Sequence, residues 1–302
     1  MSELVGLFID NLLPIFLIVG AGFLLGKKLE INPRSVSRVT YYIFSPCFIF
    51  TLITSNHLNT GDILRMAGFA CVMALIVGLI TWGAALALKL QRQLLIAVLL
   101  TTLFMNAGNY GLPLNLFAFG EEAMAHASIY FITMFVLTNS VGIVIASMGS
   151  SSFRSALTNL LKIPMIYALI LAFLYNRLNW DMPLPFARTI DLLARATIPS
   201  MLVLLGLQLQ GANWKAHSLA LALSGTMRLL VAPLIALGVS AIFGLQGPAR
   251  QAGIVESAMP SAVLATILAT EYDAQPNFVT AAVFTSTLLS PFTLTPLLAY
   301  LS

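Results

Sequence analysis

The sequence predicts an all-α integral membrane protein, with ten transmembrane helices arranged as two inverted repeats of five. Three observations carry that expectation. Of 302 residues, 59% are hydrophobic and only 9% are charged, and the mean hydropathy is +0.94, whereas soluble domains carry roughly 25% charged residues. Apolar runs long enough to cross a hydrocarbon core of roughly 30 Å recur along the whole chain, with no polar block large enough to fold separately in water. A polar break from Gly149 to Arg154 divides these runs into five and five. An odd number of crossings per half obliges any internal repeat to be inverted in the membrane.

The runs fall at 4–25, 39–55, 63–88, 94–119 and 123–147 within a first half, 1–150, and at 160–178, 190–209, 218–243, 252–270 and 278–301 within a second, 151–302. The first run follows Glu3 and holds Asp10 but has no basic residue ahead of it, so it lacks a signal peptide's positive leader and reads as a retained helix. Its Gly22 and Gly26 form a Gly-x-x-x-Gly pair that suits close helix packing, a dimer interface being one use. Lys27, Lys28, Arg34, Arg38, Lys89, Arg92, Arg154, Lys162 and Lys215 fall on one side, and Arg65, Arg177, Arg188, Arg195 and Arg250 on the other. Because basic loops stay in the cytoplasm, this bias places both termini outside a cell membrane, which is the periplasm in a Gram-negative bacterium.

The formal net charge of +4 comes from residues scattered over short loops, so it sets topology and implies no nucleic-acid partner. Cys47 and Cys71 stand alone in apolar segments, which supports neither a disulfide nor a zinc site. No metal or cofactor is expected. The chain has no HExxH, Gly-x-Ser-x-Gly or Walker sequence, and His57, His126 and His217 stand apart, so no enzyme is predicted.

The fourth run is interrupted from Asn106 to Pro113 by two amides, two glycines and a proline, and the ninth by Glu256-Ser-Ala-Met-Pro260. Interrupted segments at corresponding places in two halves point to a secondary transporter's site. Pro46 and Pro199, in the second run of each half, are a fainter echo. Pro113 and Pro260 each suit the first position of a new half-helix, where the missing N–H is no loss. The amides expected to be freed belong to Leu114 and Asn115, and to Ser261, Ala262 and Val263. Two half-helix N-termini meeting at the midplane, each carrying roughly half a positive charge, would seat a small anion. Asn106 and Asn109 supply donors and acceptors, Gly108 gives conformational freedom, and Tyr110 and Met259 lie within the interruptions. Asn139 in the fifth run needs a partner that a neighbouring cavity would provide.

Two ionisable residues sit deep in apolar segments, where a charge costs about 2.5–3.5 kcal/mol on insertion scales. They are Glu256 and Arg228. A structural ion pair between them, a proton-coupling carboxylate and a substrate-pairing arginine are all open readings. Asp191 and Arg195, four apart, form a local pair at a helix entrance.

At Asn106 to Pro113 and at Ser257-Ala-Met-Pro-Ser-Ala262 the sequence resembles the auxin efflux carrier family, the bacterial relatives of the plant PIN carriers. The resemblance spans the chain and implies a fold similar to that of bile-acid/sodium symporters. Segments one, two, six and seven would form a scaffold and homodimer interface. The remaining six would form a mobile domain in which segments four and nine cross at Pro113 and Pro260. It implies a secondary transporter of a small organic anion, a carboxylate, working by elevator-type alternating access. The substrate would be held by Asn106, Gly108, Asn109, Tyr110, Pro113, Leu114, Asn139, Met259, Pro260, Ser261 and Ala262. The alternatives are a sodium-coupled symporter of the bile-acid type and an organic-acid sensor that does not transport.

Overall fold

A computed structural model describes residues 2–29, 31–55, 58–147, 163–178, 181–209 and 217–302. The link at Gly149 to Arg154, His57, Lys162, Lys215 and the start of the sixth run lie outside the described residues. Among the latter the chain forms eleven helices: α1 (Leu4–Lys28), α2 (Pro33–Ser55), α3 (Thr60–Ala87), α4 (Arg92–Leu103), α5 (Ala107–Ala146), α6 (Pro164–Leu178), α7 (Leu184–Gln208), α8 (Ser218–Ile242), α9 (Gly247–Ala258), α10 (Val263–Glu271) and α11 (Pro276–Leu301). Seven of these, α1–α3, α5, α7, α8 and α11, are long and apolar enough to cross a membrane, and α4 and α6 are shorter apolar helices.

The fourth predicted run is thus divided between α4 and the first arm of α5. That arm turns at Gly120, whose φ of 82° is open to glycine but strained for other residues, into a second arm over 121–146. The ninth run is divided between α9 and α10.

Proline explains much of the local shape. Four helices widen by one residue just ahead of Pro14, Pro46, Pro113 or Pro233. There Leu13, Ser45, Leu112 and Ala232 donate to carbonyls five residues back instead of four. Widening relieves the clash between the ring and the preceding turn, and it spares the helix a full break where an amide is missing.

The helices pack as two groups. In one, α7 lies along α1 and α6 along α2, with the first part of α7 also against α2. In the other, α5 packs on α3 and α9, α4 on α3, α8 and α11, α8 on α9, and α10 on α11. The α1–α7 contact is backbone against backbone: a Cβ on Gly22 would overlap the Val203 carbonyl, and one on Gly206 the Val19 carbonyl and the Phe23 amide. Gly22 thus serves the close helix packing expected of it, here between α1 and α7 of one chain.

Candidate functional site

The two interruptions meet. The chain leaves α4 at Phe104 and re-enters a helix at Ala107; it leaves α9 at Met259 and re-enters at Val263. Met105 and Ser261 pair as a single antiparallel bridge. Asn106 N donates to Pro260 O at 2.7 Å, and Ala262 N donates to Phe104 O at 2.8 Å. Ser261 N donates to Ser286 Oγ on α11 at 3.1 Å, and Ser261 Oγ to Thr101 O at 2.7 Å. Unwound backbone away from water costs several kcal/mol per unpaired group, so each interruption supplies the hydrogen bonds that the other lacks.

This geometry corrects the expected position of both breaks. The first lies upstream of the Gly-Asn-Tyr-Gly-Leu-Pro stretch. Pro113 sits inside the re-formed helix, and Leu114 and Asn115 are fully buried there. Pro260 opens no helix; it lies in the extended stretch, and of the three amides expected to be free after it, those of Ser261 and Ala262 are bonded. The helix ends that lack intrahelical partners are those around Gly108 and Asn109 at the start of α5, and around Val263 and Leu264 at the start of α10.

Both of those ends line one cavity of about 140 Å³. Of the residues named from sequence, Asn106, Gly108, Asn109, Ala262 and Val263 line it. Its opposite wall comes from the other helix group, with Ser37, Thr40 and Tyr41 of α2, Met165 of α6, and Met201 and Gln208 of α7. Phe131 and Phe135 on the second arm of α5 add an aromatic face; Phe135 lies 5.3 Å from Tyr41, centroid to centroid. Every polar lining residue is neutral. Two buried polar atoms at this cavity have no hydrogen-bond partner, Asn106 Nδ2 and Gln208 Oε1. A second cavity, of about 550 Å³, shares Ser37, Gln208, Val263 and Ile267 with the first and is also lined by Arg34 and Arg38, both exposed.

The remaining expected site residues lie elsewhere. Tyr110 is fully buried, its hydroxyl 3.1 Å from Ser290 Oγ and its ring edge-on to Phe16. Asn139 Nδ2 donates to Phe135 O of its own helix at 2.8 Å, and so needs no cavity. Met259, Pro260 and Ser261 form the floor of the crossing and do not line the hollow.

Glu256 and Arg228, both buried, form no ion pair with each other, which corrects one of the readings left open by sequence. Arg228 donates through Nη1 to Thr102 O at 2.6 Å and through Nη2 to Ser257 O. Glu256 Oε1 accepts from Asn115 Nδ2 at 3.1 Å, and Oε2 has no partner. Its carboxyl group fills the space beside Gly111, where any Cβ would overlap it. The expected Asp191–Arg195 pair is present and exposed, at 2.9 Å. Among the described residues no group of three or more His, Cys, Asp or Glu side chains could hold a metal ion.

Sequence reasoning missed the α2 and α7 wall. Its one legible signal was Gln208, an amide that ends the apolar run Met201–Leu207 in the last turn of α7.

Comparison with known proteins places these features in a family context. The model of the family described as membrane transport protein matches the chain twice, over residues 7–151 and 147–298. An uncharacterized transporter of Methanothermobacter thermautotrophicus is 27% identical over 93% of this chain and 94% of its own length. One from Methanocaldococcus jannaschii is likewise 27% identical, with the same coverage. A probable auxin efflux carrier component of Oryza sativa subsp. japonica is 28% identical over 45% of this chain and 26% of its own.

Proposed function

The chain belongs to the membrane transport protein family, that of the auxin efflux carriers, and we propose that this multi-pass membrane transporter moves a small organic anion with one carboxylate and an apolar body. One observation carries the reading: the N-terminal ends of α5 and α10 line a single hollow together with the unpartnered Asn106 Nδ2. Two positive helix ends and a neutral amide donor suit a carboxylate. Phe131, Phe135 and the methionine side chains around them suit a hydrophobic remainder. No lining residue carries a second positive charge for a dicarboxylate.

The cavity lies between the two helix groups, so sliding α3–α5 and α8–α11 past α1, α2, α6 and α7 would carry a bound anion from one side to the other. In this reading the two halves of the chain are inverted five-segment repeats, and α1, α2, α6 and α7 form the fixed scaffold and the homodimer contact. The neighbouring Arg34/Arg38 cavity is the open mouth. With both termini outside, that mouth faces the cytoplasm and draws anions toward it.

The test is uptake of labelled phenylacetate and labelled malonate into vesicles holding the purified protein. Saturable phenylacetate flux that exceeds malonate flux and persists without sodium is expected. Flux of neither, or of malonate alone, overturns the assignment, and an absolute need for a sodium gradient supports the sodium-coupled alternative.

A further inference from the structure

The crossing has a second face, and it is closed by a residue that the transport reading does not use. The C-terminal ends of α4 and α9 converge on Arg228 of α8, which is 1% exposed. Its guanidinium forks between Thr102 O, in the last turn of α4, and Ser257 O, in the last turn of α9. Both carbonyls belong to turns whose intrahelical amide partners are missing because the helices stop there. Ser224, one turn earlier on α8, donates to Thr101 Oγ1 at 2.8 Å, so α8 grips the same helix end twice. A widened turn over Met227–Val231 carries Arg228.

The charges balance. Each helix C-terminus carries roughly half a negative charge, so two of them match the single positive charge of one guanidinium. That match offsets the desolvation of a buried arginine that has no carboxylate partner. It also alters the opposite face. Without Arg228, the negative ends behind the crossing would partly cancel the positive ends in front of it, because all four helix ends lie within a few residues of the Met105–Ser261 bridge. With Arg228 in place, the positive ends of α5 and α10 act on the cavity uncancelled.

We propose that Arg228 is the positioning residue of the anion site: it clamps the C-terminal ends of α4 and α9 and neutralises them, so that the N-terminal ends of α5 and α10 favour a negative charge in the cavity. This rests on the reading of that cavity as an anion site. It predicts that the residue governs preference for charge, beyond holding the crossing together.

The experiment measures binding of phenylacetate and of its neutral analogue phenylacetamide to purified wild type, Arg228→Lys and Arg228→Met. In Arg228→Met, affinity for the acid should fall roughly tenfold, the size of a helix-end charge effect in a buried site, while affinity for the amide changes less than about twofold. Arg228→Lys, which keeps the charge and loses the fork, should keep the preference for acid over amide. Equal loss for both ligands, or no loss, overturns the proposal. If wild type binds neither compound, the anion assignment of the cavity falls first, and the clamp is then decided by thermal unfolding of Arg228→Gly. A midpoint raised by millimolar guanidinium and not by urea supports the clamp, and an unmoved midpoint overturns it.

Discussion

The two faces of the crossing are built from the same parts, two helix ends and one short bridge, and they are finished in opposite ways. Behind the bridge the C-terminal ends of α4 and α9 are closed by Arg228. In front of it the N-terminal ends of α5 and α10 open on a hollow in which Asn106 Nδ2 has no partner. The protein thus supplies its own cation where carbonyls converge and turns the amide side toward the cavity. Substitutions on the open face should therefore act on ligand, those of packing residues away from it on stability, and those of Arg228 on both.

The largest effect is expected from Asn106→Leu on the open face. It keeps the branched shape and removes the donor, so phenylacetate affinity should fall roughly a hundredfold, equivalent to ~2.7 kcal/mol. Its unfolding midpoint in detergent should stay near wild type, because the lost Nδ2 was already unpaired. A large loss of stability with binding intact would reverse the roles of the two faces.

Next is Gly111→Ala in the buried contact between the first turn of α5 and α9, where the new methyl group overlaps the Glu256 carboxyl group. Overpacking of this kind costs about 1–3 kcal/mol, visible as a lowered thermal midpoint, and pairing it with Glu256→Ala should recover most of that loss. Tyr110→Phe removes the hydroxyl contact with Ser290 and should cost about 0.5–1.5 kcal/mol of stability, with phenylacetate flux close to wild type.

The smallest effect is that of Asn139→Ala. Its side chain bonds only its own helix in the structure, so both stability and flux should stay within about 0.5 kcal/mol of wild type. A strong flux defect in Asn139→Ala would show that the residue turns into the cavity during transport.

How much of this was legible beforehand depended on the kind of group involved. The interrupted runs around Asn106 and Met259 were visible because amides, glycines and prolines are out of place in lipid. Their meeting followed from the expectation of an inverted repeat. The position of the first break was misread because Pro113 marks strain and does not mark where the strain is released: widening over Ala107–Gly111 absorbs the missing amide, and the chain unwinds at Phe104–Asn106 instead. Glu256 and Arg228 were singled out by the cost of burying charge, but that cost names no partner. Arg228 found backbone carbonyls, which are present at every position and so leave no trace in a sequence. The α2 and α7 wall was missed for a related reason, since Ser37, Thr40 and Gln208 gain meaning only from the cavity they border.

The most direct test of the cavity as the substrate site is the rate at which a small thiol reagent modifies Asn109→Cys in a background with Cys47 and Cys71 replaced by Ala. The cavity should admit the reagent from the Arg34/Arg38 side, and phenylacetate should slow the reaction in proportion to its occupancy while phenylacetamide slows it less. Modification at the same rate with and without phenylacetate, at concentrations that saturate transport, would place the substrate elsewhere.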